Sequence, residues 1–265
     1  MNAGELLQLL DHERRSLARG GEILTLLPSI TRLRSADGSH HNVIFSSLAA
    51  ADADAAIRQE IEHHQRLGVG FEWKLYSHDR PADLLDRLGR FGFKIGLREV
   101  VLIYDLSQPL PFSDLAGASP PHTVVRVDSP EQVAVYRRVA EQVFGKDYDF
   151  TARELADDIR GGLMQHRGYI AYADDRPVSI GRLYTHPQSQ FGGLYGGGTL
   201  PAYRGQGFYR AMVVARARDA AARGARYLIV DALPTSLPVL ERMGFERVAQ
   251  TWPCEWELTA DHVIQ

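Results

Sequence analysis

A short pattern occurs twice in this chain, and a constant shift of 152 residues carries one copy onto the other. Leu85-Asp-Arg-Leu88 followed by Gly92-Phe93 becomes Leu237-Pro-Val-Leu240 followed by Gly244-Phe245, and the same shift takes Asp79 to Asp231 and Leu106 to Leu258. In both copies the order reads as an apolar strand, an Asp, a proline-containing turn, a short helix, Gly-Phe and a long alternating strand. Glycine after the helix supplies a left-handed cap, and the phenylalanine returns the chain to the core. A matched repeat predicts two related α/β domains. The stretch 107–121, rich in Pro and small polar residues, has the composition of a linker. The expected domains are therefore 1–108 and 122–265, joined by a linker over 109–121.

With 265 residues, 45% of them hydrophobic, each half is long enough to bury a core. The net charge of -3 gives no basic surface for neutralising phosphates, which argues against nucleic acid as a partner. The longest apolar runs are strand-sized, so no membrane segment is expected. The acidic N-terminal stretch does not resemble a secretory signal, and a cytoplasmic location is expected. The single cysteine, Cys254, lies in a strand-like segment and reads as a packed residue. No Cys/His pair or H-E-x-x-H spacing occurs, so no metal is expected.

In the second half, Thr123–Val127 reads as a strand, Ser129-Pro-Glu-Gln as the capped start of a helix, and Thr151-Ala-Arg-Glu154 as a capping box opening another. Alternating segments at 168–173, 178–185 and 193–200 read as antiparallel strands. They are followed by a helix over 207–223 and a buried strand at 227–230.

Between strand and helix stands Leu200-Pro-Ala-Tyr-Arg-Gly-Gln-Gly-Phe-Tyr-Arg210. Glycines there let successive N–H groups converge, the helix N-terminus adds partial positive charge, and Arg204 and Arg210 reinforce it, so the loop reads as an anion site. It is not a P-loop, because Phe208 and Tyr209 stand where Lys and Ser/Thr are required. Nor is it a dinucleotide fingerprint, because Arg210 stands where a third glycine is needed.

Arg204-Gly-Gln-Gly207, the helix after it and the Gly244-Phe245 terminator resemble the GNAT family of N-acetyltransferases, over roughly 123–258. The resemblance implies a tandem protein of two GNAT-like domains, each a mixed, mostly antiparallel sheet flanked by helices, with a V-shaped splay in the C-terminal sheet. It implies acetyl-CoA as co-substrate, held by Gly198, Thr199, Leu200, Arg204, Gly205, Gln206, Gly207, Phe208, Tyr209, Arg210 and Ser236, and direct attack on the thioester by a small-molecule or peptide amine. The family pattern usually ends in Gly or Ala where this chain has Tyr209, whose ring is expected to lie away from the phosphates. The usual tyrosine acid is replaced by Leu240; Tyr195, Tyr203 and Tyr209 are candidate substitutes, and Asp231 is a candidate proton relay. Asp147 and Asp149 are expected to attract a cationic amine. A homodimer is left open. The alternative is a non-catalytic acyl-CoA sensor or interaction module.

The first half has Ala49-Ala-Ala-Asp-Ala-Asp54 where its own phosphate loop would stand, with no glycine and two carboxylates. It reads as a degenerate copy that does not bind CoA.

Overall fold

The computed structural model describes residues 1–18, 21–109, 122–162 and 165–259. From residue 110 onward the expected linker lies outside the described residues. Two compact units emerge: one of Met1–Val101 with Ala232–Pro234 and Arg247–Gln265, the other of Leu102–Asp231 with Thr235–Glu246.

The first unit opens with α1 (Ala3–Ser16), whose N-terminus is closed by a capping box between Asn2 and Glu5. Strands β1 (Glu22–Leu26), β2 (Ile30–Ser35) and β3 (His41–Ser46) form an antiparallel meander. Helix α2 (Ala53–Leu67) follows, and β4 (Phe71–Tyr76) then runs parallel to β3 over only two paired positions, Asn42 with Glu72 and Val43 with Trp73. Next come α3 (Leu84–Arg90), the short β5 (Lys94–Ile95) and β6 (Glu99–Asp105). Alternation along β4 sends Phe71, Trp73 and Leu75 inward onto Ile57, Leu84, Leu88 and Phe93.

The second unit begins with β7 (Thr123–Arg126) and two helices, α4 (Pro130–Phe144) and α5 (Asp149–Gly161). Ser129 caps α4 as expected, accepting from the amide of Gln132. Helix α5 starts before the capping box expected at Thr151: Asp147 takes its first amide, that of Asp149, at 2.6 Å. The meander β8 (His166–Ala173), β9 (Arg176–Thr185) and β10 (Phe191–Thr199) comes next, then α6 (Phe208–Ala222), β11 (Tyr227–Ala232) and α7 (Leu237–Arg242). Its strands run in the order β6, β11, β10, β9, β8, β7.

The two short helices end alike. Phe93 N–H donates to Leu88 and Phe245 N–H to Leu240, each at 3.1 Å, with Gly92 at φ 84° and Gly244 at φ 87°. The aspartates matched by the same shift do not correspond: Asp79 lies in the turn beyond β4, whereas Asp231 is inside β11.

The expected division, 1–108 against 122–265, also differs from the packing at the closing strands. The last strand, β12 (Glu246–Trp256), pairs antiparallel with β4 of the first unit, and most of β6 lies in the second unit beside β11. β6 is a continuous apolar run and β12 a longer mixed strand, and neither pattern by itself assigns the strand to one sheet.

Candidate functional site

The candidate site is built where β10 meets α6. Strands β10 and β11 pair in parallel at only three positions, Phe191 with Tyr227, Gly192 with Leu228 and Gly193 with Ile229. Beyond these both strands continue, β10 to Thr199 and β11 to Ala232, so they part into a fork. On its other side β10 pairs with β9, and that register breaks between Tyr195 and Gly198. Gly196, at φ 52°, makes this bulge. A side chain on Gly198 would strike Val143, and one on Gly197 would stand 3.0 Å from the ring of Tyr209, so both glycines permit close approach.

After β10 the chain makes a short 3-10 turn at Pro201–Tyr203, then passes Gly205 at φ 75° and Gly207 at φ 92° into α6. Gly207 is the N-cap, and with no side chain it makes no cap bond of its own. Those amides are the usual unsatisfied donors of a helix start. A glycine-rich helix start of this kind fits a diphosphate.

Several residues hold this loop in shape. Arg204 donates Nε to the Thr199 carbonyl at 3.1 Å, which closes the loop onto the end of β10. Gln206 donates to Ala202, and its own carbonyl lies 2.6 Å from His122 Nε2. His122 also stacks on Phe208, with ring centroids 3.7 Å apart. Ser179, fully buried on β9, bonds the Gly198 carbonyl and the Thr199 hydroxyl, each at 2.9 Å.

The sequence profile described as "Acetyltransferase (GNAT) family" matches residues 134–245. That stretch is a GNAT-family acetyltransferase domain. Solved GNAT structures resemble the chain over nearly its whole length. One is a GCN5-related N-acetyltransferase from Kribbella flavida, with TM-score 0.65 and 14% identity, covering 96% of this chain and 93% of that one. Another is a GCN5-related N-acetyltransferase from Sphaerobacter thermophilus, with TM-score 0.59 and 14% identity, covering 97% and 85%. A third is a tandem GNAT protein from the clavulanic acid biosynthesis pathway, with TM-score 0.59 and 13% identity, covering 96% and 94%. At such identities the likeness is one of fold. No curated protein sequence matches the chain.

Within the GNAT domain the residues expected to touch cofactor fall into distinct places. Gly205, Gln206 and Gly207 form the exposed glycine loop, and Gly198 and Thr199 lie at the far end of β10. Leu200 follows them, with its amide bonded to the Val178 carbonyl at 2.9 Å. The Phe208 side chain is buried against His122. Arg204 is partly committed to Thr199, and Arg210 is half-buried.

Tyr209 turns its ring toward Gly197, and its hydroxyl is hydrogen-bonded to Ser236 at the start of α7. Burial raises its pKa, so the phenol is protonated at neutral pH. Leu240 is fully buried. Tyr195 and Asp231 each lie two residues past the last paired position of the fork, and the Tyr195 ring folds back over Gly193. Tyr203 packs edge-on against Phe208 at 6.1 Å. Asp147 and Asp149, expected to draw in a cationic amine, have other partners: Asp147 caps α5, and Asp149 pairs with Arg137 and with Arg153 at 3.9 Å.

The sequence reading missed His122 and Arg216. Arg216 lies on the fully buried face of α6 with Met212, Val213, Ala217 and Ala220. Its guanidinium bonds the carbonyls of Met212 at 3.1 Å, Arg182 at 3.0 Å and Tyr195 at 3.5 Å, the last two being the strand pair just before the register break. The signal was present: Arg216 stands four residues from both Met212 and Ala220, on the apolar stripe.

Elsewhere, Cys254 is fully buried, and burial pushes its thiol up to about 12, which leaves it inert. Among the described residues no helix is long and apolar enough to cross a membrane. Among the same residues no three His, Cys, Asp or Glu side chains come together as a metal would need.

Proposed function

We propose that the chain transfers an acetyl group from acetyl-CoA to a small-molecule or peptide amine, by direct attack within a ternary complex. The observation that carries this reading is the uncapped glycine start of α6 placed at the end of a strand that parts from its neighbour. The amides of Gly205 to Tyr209 would hold the pyrophosphate, and the fork between β10 and β11 would admit the pantetheine arm. Amides at the Gly196–Gly197 bulge are placed to stabilise the negative charge that develops on the thioester oxygen.

Two proton transfers accompany attack by an amine. Asp231, on the β11 side of the fork, would receive the amine proton, directly or through water. For the departing sulfur, Tyr209 is better placed than Tyr195, because its protonated phenol reaches across to Ser236 while the Tyr195 ring folds back along its own strand.

The first unit is read as a degenerate GNAT-like partner. It repeats the succession of meander, helix, parallel strand and capped short helix, but its loop has no glycine.

Leu240, buried where the resemblance expects a tyrosine, favours a second reading, an acyl-CoA sensor without catalysis. Free-thiol release from acetyl-CoA across a panel of amines separates the two. Amine-dependent release supports transfer, whereas a thermal shift with acetyl-CoA and no release supports the sensor. Ligand at a hundred times its dissociation constant stabilises by about 2.7 kcal/mol, and no shift at all would sink both.

A further inference from the structure

Unspent hydrogen-bonding capacity in the second unit gathers at the bulge of β10. Tyr136 of α4 is fully buried, and its hydroxyl bonds no protein group; Arg182 of β9 leaves Nε, and Arg216 of α6 leaves Nη2, in the same condition. These groups face the same two glycines. A Cβ built on Gly196 would stand 3.5 Å from Arg182 Nε and 3.8 Å from both Arg182 Nη2 and the Tyr136 hydroxyl. One built on Gly197 would stand 3.3 Å from Arg216 Nη2.

The charge there is positive. Burial lowers the Arg216 pKa, yet a guanidinium starts so high that it keeps its proton at neutral pH. The bonds of Arg216 go to main-chain carbonyls, and Arg182 has Glu154 at 3.5 Å from Nη1, a long contact. Nearby Asp149 is held by Arg137 and Arg153. The Arg182 side chain is 21% exposed while its Nε and the Tyr136 hydroxyl are buried, so a carboxylate would have to enter beside the bulge to meet them. Beside this cationic patch, Phe144 and Tyr148 stack with centroids 5.2 Å apart, and the Phe144 ring lies 3.1 Å from a Cβ built on Gly198. A carboxylate accepts from several donors at once, and the aromatic pair offers an apolar wall.

We propose that the acceptor is an amine bearing a carboxylate, of amino-acid type with an apolar side chain, whose carboxylate takes hydrogen bonds from Arg182 and the Tyr136 hydroxyl. This rests on the transferase reading above and names its substrate class. Arg216 adds positive charge beneath the bulge and fixes its shape through the Arg182 and Tyr195 carbonyls.

The test uses the full chain, acetyl-CoA, and phenylalanine, phenylalaninamide and phenethylamine as a matched set, followed by thiol release. Phenylalanine is expected to exceed the two carboxylate-free amines in kcat/KM by about tenfold or more. In Arg182→Gln the ratio of phenylalanine to phenethylamine collapses toward one, chiefly through KM for phenylalanine, and Arg182→Lys restores part of it. Tyr136→Phe lowers the same ratio less. Equal use of all three amines, or an equal loss for all three in Arg182→Gln, would overturn the proposal. If no amine releases thiol, the transferase reading fails by itself. The carboxylate site is then read from the thermal shift with N-acetylphenylalanine: a shift abolished in Arg182→Gln supports it, and no shift overturns it.

Discussion

The chain contains two crossovers of the same kind, β3 through α2 to β4 and β10 through α6 to β11, and they differ in what their loops can hold. Each joins two parallel strands that pair over only two or three positions. Between β10 and α6 the backbone takes positive φ at Gly205 and at Gly207, the N-cap of the helix. Between β3 and α2 the amides turn inward: Leu48 donates to Arg80 at 3.1 Å and Asp52 to Ala49 at 3.0 Å. Asp52 opens α2 in a helical conformation without a side-chain cap, and Asp54 faces Arg87 at 2.7 Å. Topology therefore supplies the helix start, and a few loop residues decide whether it can receive an anion.

The sharpest way to break this contrast is Gly207→Glu, which puts a carboxylate at the start of α6 on a backbone at φ 92°. Acetyl-CoA affinity should fall by roughly a hundredfold or more, about 2.7 kcal/mol. The strain of a left-handed non-glycine residue adds a stability loss of about 1 kcal/mol. Titration calorimetry and urea unfolding read the two quantities separately. Equal losses in both would mean that the glycine loop is structural, like its counterpart before α2.

How much of this was legible in the sequence follows from how local each determinant is. Gly92-Phe93 and Gly244-Phe245 announced their caps because the turn, the left-handed glycine and the closing bond all lie within a few residues. The glycine loop before α6 was legible for the same reason. The exchange of β6 and β12 was not, because the choice of sheet depends on the rest of each unit, and neither the apolar run Val100–Tyr104 nor Thr251–Trp256 carries a local mark of its neighbour. Arg216 and Tyr136 were hidden in another way. The helical stripe puts Arg216 among apolar residues, but only the completed bulge shows that the guanidinium fills its gap.

The two cores also differ in what acid does to them. His64 in the first unit is 1% exposed, stacks on Phe71 with centroids 3.9 Å apart, and donates Nδ1–H to the Glu60 carbonyl. Burial above all, then the neighbouring charges of His63, His41 and Arg32, pushes its pKa down to about 4. Arg216 and Tyr136 in the second unit keep their charge states between pH 5 and 7. A depressed histidine pKa means that the unfolded chain takes up a proton which the folded chain refuses. Stability is therefore full above the unfolded value near 6.5 and falls as pH drops below it, by about 2 kcal/mol between pH 7 and 5. Trp73, Trp252 and Trp256 all lie in the first unit, so tryptophan fluorescence during urea unfolding follows that unit. His64→Phe should remove most of the slope. An unchanged slope would place the acid sensitivity elsewhere.

The smallest effect is expected from Asp52→Ala at the start of α2. A capping aspartate ordinarily contributes through a side-chain bond to the helix amides, which Asp52 does not make, so only its attraction to the helix dipole is lost. That should cost below about 0.5 kcal/mol in urea unfolding. Nor should it create an acetyl-CoA site in a chain already carrying Gly207→Glu, because Asp54 stays and the inward amides of Leu48 and Asp52 remain bonded. A thermal shift with acetyl-CoA in that double variant would show that charge alone silenced the first loop. Its absence would assign the difference to backbone shape, which glycine provides in the second loop and alanine does not in the first.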